Sequence, residues 1–193
     1  MKKRLLAITG KRFSGKDTLA ALMVERAAAR GLTLETCAFA AESKRMFVEQ
    51  NAEAVDLERL LGDREYKEHW RPQLTAFTME ALAQDPLVFC RRVADRIALS
   101  PHAALVTDVR LRLEVEHLRA RFDLHLVRIA RSDDARAASG WTYAAATDGH
   151  ETETQLDDVS LWDEIIENDG SLVDLGTQAD ALIARALSPR SDR

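Results

Sequence analysis

Nine consecutive residues, Gly10-Lys11-Arg12-Phe13-Ser14-Gly15-Lys16-Asp17-Thr18, carry the pattern GxxxxGK. Two glycines at that spacing let the backbone curl so that successive N–H groups face one point, and the lysine after the second adds an ammonium group beside them. With a helix beginning just behind, such a turn is a cradle for phosphate oxygens. Lys16 is placed to reach the β- and γ-phosphates of a bound nucleotide as a point charge. Gly10, Lys11, Arg12, Ser14 and Gly15 form the rest of the cradle. Asp17 stands where a hydroxyl that touches Mg²⁺ is more usual, with Thr18 following; a carboxylate meets the shell of that ion through water. The bland alternative is a glycine turn with a stray lysine, which gives no reason for a strand in front and a helix behind.

A second group follows another apolar run, in Leu105-Val106-Thr107-Asp108-Val109-Arg110. Ligands of open α/β sheets collect at the carboxyl ends of strands. There Asp108 is expected to hold Mg²⁺ or its waters, and Arg110 to bind an acceptor anion; a helix-capping aspartate beside a surface arginine is the competing reading. A third group lies in the small, polar, weakly periodic stretch from Arg131 to Asp158. It carries Arg131, Arg136, Gly140-Trp141, Asp148-Gly149 and His150-Glu151-Thr152-Glu153. A phosphoryl-transfer site must keep out water and balance developing charge, so residues 131–155 are expected to form a mobile lid bearing catalytic arginines. An ordinary loop with solvated arginines competes with that reading, and Trp141 is expected to pack rather than to act.

The elements that must position these groups follow from periodicity. Short apolar runs alternate with longer segments of helical spacing, which predicts an α/β fold of three layers around a parallel sheet of about five strands. Strands are predicted over Arg4–Thr9, Leu32–Phe39, Ala103–Thr107, Leu124–Ala130 and Glu164–Glu167. Helices are predicted over Thr18–Ala29, closed by Gly31, and over Glu42–Leu61, broken at Gly62. Others are predicted over Asp63–Ala83, interrupted or kinked near Pro72, and from Asp85-Pro86 to Leu99. Leu111–Arg121 and Leu175–Leu187 complete the set. Residues 1–187 are read as one domain and 188–193 as a flexible tail.

Composition narrows the function classes. With 193 residues, 46% hydrophobic, the chain can bury a real core. A net charge of -5 argues against binding a nucleic-acid polymer, which wants a basic face. Cys37 and Cys90 lie far apart and belong to no CxxC pair, and the five histidines lack metal-ligand spacing, so neither a disulfide framework nor zinc is expected. The apolar run after Met1-Lys2-Lys3-Arg4 stops at Thr9-Gly10, too short for a signal peptide, and no run is long enough for a membrane span. A cytoplasmic protein, monomer or homodimer, is expected.

Taken together, the residues resemble the animal-type phosphomevalonate kinases, P-loop enzymes of the nucleoside-monophosphate-kinase fold. The resemblance runs from Arg4 to Leu187. It rests on Gly10-Lys11-Arg12 with Ser14-Gly15-Lys16-Asp17, Arg59-Leu60-Leu61, Tyr66-Lys67-Glu68, Arg71, Asp85-Pro86, Phe89-Cys90-Arg91, Asp108 with Arg110, Gly140-Trp141 and Ile166-Glu167-Asn168 with Gly170. Asp17, odd for a generic glycine loop, is normal in that family. The resemblance implies ATP-dependent phosphorylation of a small phosphomonoester to a diphosphate, with Mg²⁺. It implies Lys11, Arg12, Lys16 and Asp17 at ATP and Mg²⁺, and Lys67, Arg71, Arg91 and Arg110 at the acceptor. Asn168 and Gln178 stand where the family meets substrate or nucleotide.

The chain departs from the family pattern at four places where a basic residue is usual: Phe13, Leu82, Leu111 and Ser139. A charge-assisted bond contributes about 1.5–3 kcal/mol, so these changes bear on the acceptor more than on the donor. Phage-type deoxynucleotide monophosphate kinases share the glycine loop and an arginine-bearing lid, and His150-Glu151-Thr152-Glu153 is similar to one of their elements. A (deoxy)nucleoside monophosphate is therefore the alternative acceptor, with Phe47, Tyr66, Trp70 and Phe77 as a base platform or as plain core. A nucleotide-binding switch without catalysis is the second alternative.

Overall fold

The computed structural model describes residues 2–157 and 162–187; the expected tail, 188–193, lies outside the described residues. Strands β1 (Arg4–Thr9), β2 (Leu34–Cys37), β3 (Ala103–Val106), β4 (Asp123–Ala130) and β5 (Glu164–Glu167) form one parallel sheet in the order β2-β3-β1-β4-β5. Leu6 of β1 sits level with Leu105 on one side and His125 on the other. Leu5, Leu6, Ala7 and Ile8 are all buried, as a central parallel strand covered on both faces requires. Helix α1 (Lys16–Ala28) follows the glycine loop directly.

Two compact units divide the described chain: one is built from the segments up to Cys37 and from Ser100 onward, the other from Ala38–Leu99. The second unit is all-helical, with α2 (Phe39–Gln50), α3 (Leu57–Gly62), α4 (Arg64–Gln84) and α5 (Val88–Leu99). The single helix expected over Glu42–Leu61 is two. Asn51 turns its amide back to the Phe47 carbonyl at 2.8 Å, and Asp56 starts α3 by accepting the Arg59 N–H at 2.8 Å. Pro72, expected to interrupt α4, sits inside one unbroken helix. Its missing N–H removes one bond of the ladder, and the neighbouring turns carry the helix through. Phe47, Val55 and Leu60 form this unit's small core, with Tyr66, Trp70, Leu74 and Phe77 packed against it.

In the first unit α6 (Arg112–Arg121), α7 (Asp133–Ala138), α8 (Ala145–Asp148), α9 (Glu151–Thr154) and α10 (Leu172–Leu187) complete the chain. One sheet face packs on α1 and α10, through Leu6, Ile8, Leu105, Val127 and Ile129 against Leu19, Met23, Ala179 and Leu182. The other takes α6 against β4, with Val115 and Leu118 buried. Asp180 of α10 accepts Arg26 of α1 at 2.7 Å and Arg30, just beyond that helix, at 2.8 Å.

Glu42 of α2 is the notable charge of the helical unit. Its side chain is 5% exposed and is surrounded by Arg92 Nε at 3.0 Å, Arg96 Nη2 at 2.8 Å and Arg45 Nη1 at 3.5 Å. A buried carboxylate persists only when paired, and removing it leaves its cations crowded without a counter-charge. Glu42→Leu is expected to destabilise the chain by roughly 2–4 kcal/mol, measured by urea unfolding followed by helical circular dichroism.

Candidate active site

β1, β3 and β4 are neighbours, and each ends in residues singled out from the sequence: Gly10–Thr18 after β1, Asp108 and Arg110 after β3, Arg131 after β4. The parallel topology therefore gathers three separate stretches at one edge. Residues 11–18, Arg110 and Arg131 line a cleft of about 530 Å³ together with Ser139, whereas Gly10 and Asp108 are not among its lining residues.

The glycine loop has the shape its pattern requires. Gly15 has φ +92, in the left-handed region, and a side chain there would collide with the amide of Asn168. Gly10 is tight for a different reason: a Cβ would lie 2.6 Å from Ser14 Oγ and 2.7 Å from Ile129 Cγ2. Phe13 also has positive φ, at 60, and its ring is exposed. The buried Asn168 braces the turn by donating its amide to the Ser14 carbonyl at 2.8 Å. Lys16 begins α1, and its ammonium rests 2.8 Å from Asp17 Oδ1. Because the Asp17 side chain is 90% exposed, that pair is held in water and is readily exchanged for another anion.

Most of the other cations are matched by carboxylates of the 145–157 stretch. Asp157 accepts Lys11 at 3.0 Å and Arg128 at 2.7 Å, and these partners hold its carboxyl low against the opposing effect of burial. Arg12 lies 3.5 Å from Asp148, whose carboxyl is lowered chiefly by the Ala144 N–H. Arg110 pairs with the buried Glu153. Arg131 lines the cleft and makes no ion pair among the described residues; its buried Nε is without a hydrogen-bond partner, as is Ser14 Oγ.

Arg136 was expected in the transfer chemistry, and the structure places it elsewhere. Its side chain is 6% exposed, stacks 3.8 Å over Trp141, donates to the Arg12 carbonyl at 2.9 Å and meets Asp133 at 2.9 Å. It shapes the loop from behind rather than lining the cleft. Trp141 packs, as expected, and donates to Asp148 at 3.1 Å. The stretch after Arg131, weakly periodic in sequence, holds three short helices; Ser132 caps the first by accepting the Ala135 N–H at 3.3 Å. Helices of four to six residues are too short to leave a periodic trace.

Asn168, expected at the substrate, gives its amide to the loop; Gln178, expected at the nucleotide, donates to the Glu167 carbonyl at 3.0 Å. Lys67, Arg71 and Arg91 belong to the helical unit. Arg71 pairs with Glu68 one helical turn away, and Arg91 with Asp85. Arg59 stacks 4.2 Å over Tyr66, whose hydroxyl accepts the Asp56 N–H at 3.0 Å, so two of the motif stretches hold each other. Phe47, Trp70 and Phe77 pack edge to face or tilted within their core, and Phe47 is buried. Sequence reasoning missed Asp148 and Asp157 as partners of the loop cations. The only trace of them was the acidic character of a stretch read for its arginines.

Comparison with known proteins fits this geometry. Residues 8–124 match the family described as phosphomevalonate kinase. The phosphomevalonate kinase of Drosophila melanogaster is 32% identical over 177 residues, covering 88% of this chain and 90% of that protein. This chain belongs to the phosphomevalonate kinase family. Among solved structures, an APS kinase from Mycobacterium tuberculosis, in complex with AMPPNP and APS, covers 94% of this chain and 98% of its own, with TM-score 0.55 and 14% identity. A gluconokinase from Sinorhizobium meliloti covers 95% of this chain and 93% of its own, with TM-score 0.53 and 16% identity. At that identity the likeness is one of fold: a P-loop kinase architecture. Ser139, singled out from the sequence as a departure, lines the cleft together with Arg131.

The residues fit a nucleotide and its ion. At Gly10 and Gly15 a Cβ would run into Ser14 and Ile129 or into Asn168, so only glycine lets the loop curl this tightly, and Ser14 Oγ and Arg131 Nε are buried polar atoms without a hydrogen-bond partner. Asp17 and Asp108 are hard oxygen donors of the kind that holds Mg²⁺ alongside phosphates and water. Among the described residues no helix is long and apolar enough to cross a membrane.

Two predictions follow from these contacts. Gly15→Ala forces a strained φ and a clash with Asn168, and is expected to weaken binding of an ATP analogue at least ~10-fold, read by calorimetry. The second concerns Glu114, which accepts the N–H groups of Arg110 at 2.8 Å and Leu111 at 2.9 Å. Burial, aided by the charge of Asp108, pushes its carboxyl up from 4.5 to about 7. The folded chain then binds this proton more tightly than the unfolded one. That stabilising contribution is complete below 4.5 and is lost as pH rises to about 7. Glu114→Gln keeps an oxygen for both N–H groups, and its stability relative to the unmodified chain should rise by about 2–3 kcal/mol across that range in urea titrations.

Proposed function

We propose that this chain is an ATP-dependent kinase that phosphorylates the phosphate of a small phosphomonoester, with phosphomevalonate as the acceptor, to give a diphosphate and ADP. The observation that supports this most directly is the convergence of the glycine loop, Arg110 and Arg131 on one cleft, at the carboxyl ends of adjacent strands. The amides of the loop and Lys16 suit the donor phosphates, and α1 directs its N-terminus at them. Arg110 and Arg131 approach the cleft from β3 and β4, on either side of β1, and suit the acceptor and the transferring group. Family membership supplies the acceptor class.

The chemistry asks little of the protein beyond position and charge. The acceptor phosphate already carries a nucleophilic oxygen at neutral pH. That oxygen forms a new bond to the γ-phosphorus while the bond to the leaving ADP oxygen breaks, so no general base is needed. Magnesium, when bound, supplies neutralisation of the phosphate charges, and Asp17, Thr18 and Asp108 are the oxygen donors suited to hold it. Lys16 accompanies the transferred group, and Arg131, unpaired among the described residues, is available to offset charge as it spreads over the equatorial oxygens.

The nucleoside monophosphate alternative needs an aromatic platform for a base. Phe47, Trp70 and Phe77 are engaged with one another in a core cluster, which favours the phosphomevalonate reading. A solvent-facing catalytic domain working on small soluble metabolites also suits the cytoplasm.

A coupled assay of ADP release across phosphomevalonate, the common nucleoside monophosphates and other small phosphomonoesters tests the proposal. Phosphomevalonate is expected to give the highest kcat/KM; a nucleoside monophosphate at the top would install the alternative, and binding of ATP without turnover on any acceptor would leave a switch. In the same assay Lys16→Ala is expected to lower kcat by ~10²–10³-fold with an unchanged circular dichroism spectrum, and near-normal turnover would remove Lys16 from the chemistry.

A further inference from the structure

The acidic motif His150-Glu151-Thr152-Glu153 has no part in the reading above, yet it supplies one of the most deeply placed charges of the first unit. Glu153 lies within the short helix α9 with its side chain 5% exposed. Its Oε2 accepts the backbone N–H of Arg12 at 3.1 Å. Its Oε1 is paired with Arg110 Nη1, and the same guanidinium nitrogen reaches the Thr152 carbonyl at 3.3 Å. One buried carboxylate thus ties the glycine loop after β1 to the arginine after β3.

The two bonds do different work. Arg12 lies in the first half of the loop, where its orientation sets the path by which Phe13, Ser14 and Gly15 turn into the cradle. Arg110 is held by one edge of its guanidinium. Among the described residues its Nε and Nη2 make no further bond, and the residue lines the cleft. A guanidinium held on one side presents the rest of its fork in a fixed direction, and a planar fork binds a phosphate by two parallel bonds only if that direction is right. A buried carboxylate that costs desolvation is sustained by such pairing.

We propose that Glu153 is a positioning residue for phosphoryl transfer: it aims Arg110 at the acceptor phosphate and keeps that arginine in register with the donor loop. This deepens, and rests on, the kinase reading above. The competing possibility is that Glu153 only staples α9 to the loop, in which case its removal acts on stability and on both substrates alike, whether Arg110 is present or not.

A double-mutant cycle separates these. Glu153→Gln keeps an oxygen for the Arg12 N–H and loses the charge that holds Arg110. With phosphomevalonate as acceptor, Glu153→Gln is expected to raise the acceptor KM ~10-fold while changing the ATP KM by less than ~2-fold. Arg110→Ala is expected to raise the acceptor KM by at least as much, and the double variant to be no worse than Arg110→Ala alone, since Glu153 then has nothing left to aim. Two effects that multiply in the double variant, or an acceptor KM unchanged in Glu153→Gln, overturn the proposal while leaving the kinase reading intact. Absence of acceptor-dependent ADP release from the unmodified chain overturns the kinase reading and this inference with it. If Glu153→Gln does not fold, Glu153→Asp, which keeps the charge but shortens its reach, is read by the same cycle with the same two outcomes.

Discussion

A left-handed glycine held against a buried amide is the constraint on which the rest of this structure depends. Gly15 can adopt φ +92 because it has no side chain, and Asn168 occupies the space a side chain would need. Its amide then satisfies the Ser14 carbonyl, which the tight turn removes from any helix or strand. Asn168 follows β5 at the sheet edge, whereas Ser14 follows β1 at its centre. The loop is therefore shaped by the whole breadth of the sheet and not by its own sequence alone.

Charge is organised around that loop with the same economy. Lys11, Arg12 and Arg110 would repel one another without counter-charges. Asp157, Asp148 and Glu153 supply them, one to each. Arg136 works at the opposite side of the loop, where its guanidinium stacks on the Trp141 ring and donates to the Arg12 carbonyl. Arginine suits this duty because its planar group stacks and donates at once. The stretch between β4 and β5 thus contributes acidic residues and one buried arginine to the architecture of the site, and leaves Arg131 for the cleft itself.

The helical unit obeys a separate logic. Its apolar core is small, and Asp56 and Asp63 start successive helices by accepting the N–H groups of Arg59 and Tyr66. Glu42, gathered with Arg45, Arg92 and Arg96, adds a buried polar centre between α2 and α5. The family motif residues Arg59 and Tyr66 stack on each other here, so part of what marks the family in sequence serves the integrity of this unit.

Local chemistry was legible in the sequence wherever a few adjacent residues determine it. The GxxxxGK turn, the strand before it and the helix after it depend on backbone sterics and hydrophobic period, both short-range, and they stand where expected. So do the five parallel strands, because a buried run declares itself without its neighbours. Duties decided by distance were not legible. Whether an arginine lines a cleft or stacks beneath a loop depends on which carboxylate or ring the fold brings beside it, and Arg131 and Arg136, five residues apart, were separated only by tertiary contacts. Asn168 and Glu153 reach the loop from 154 and 141 residues away. No local pattern records such pairings, since it is the parallel sheet that sets those strand ends side by side.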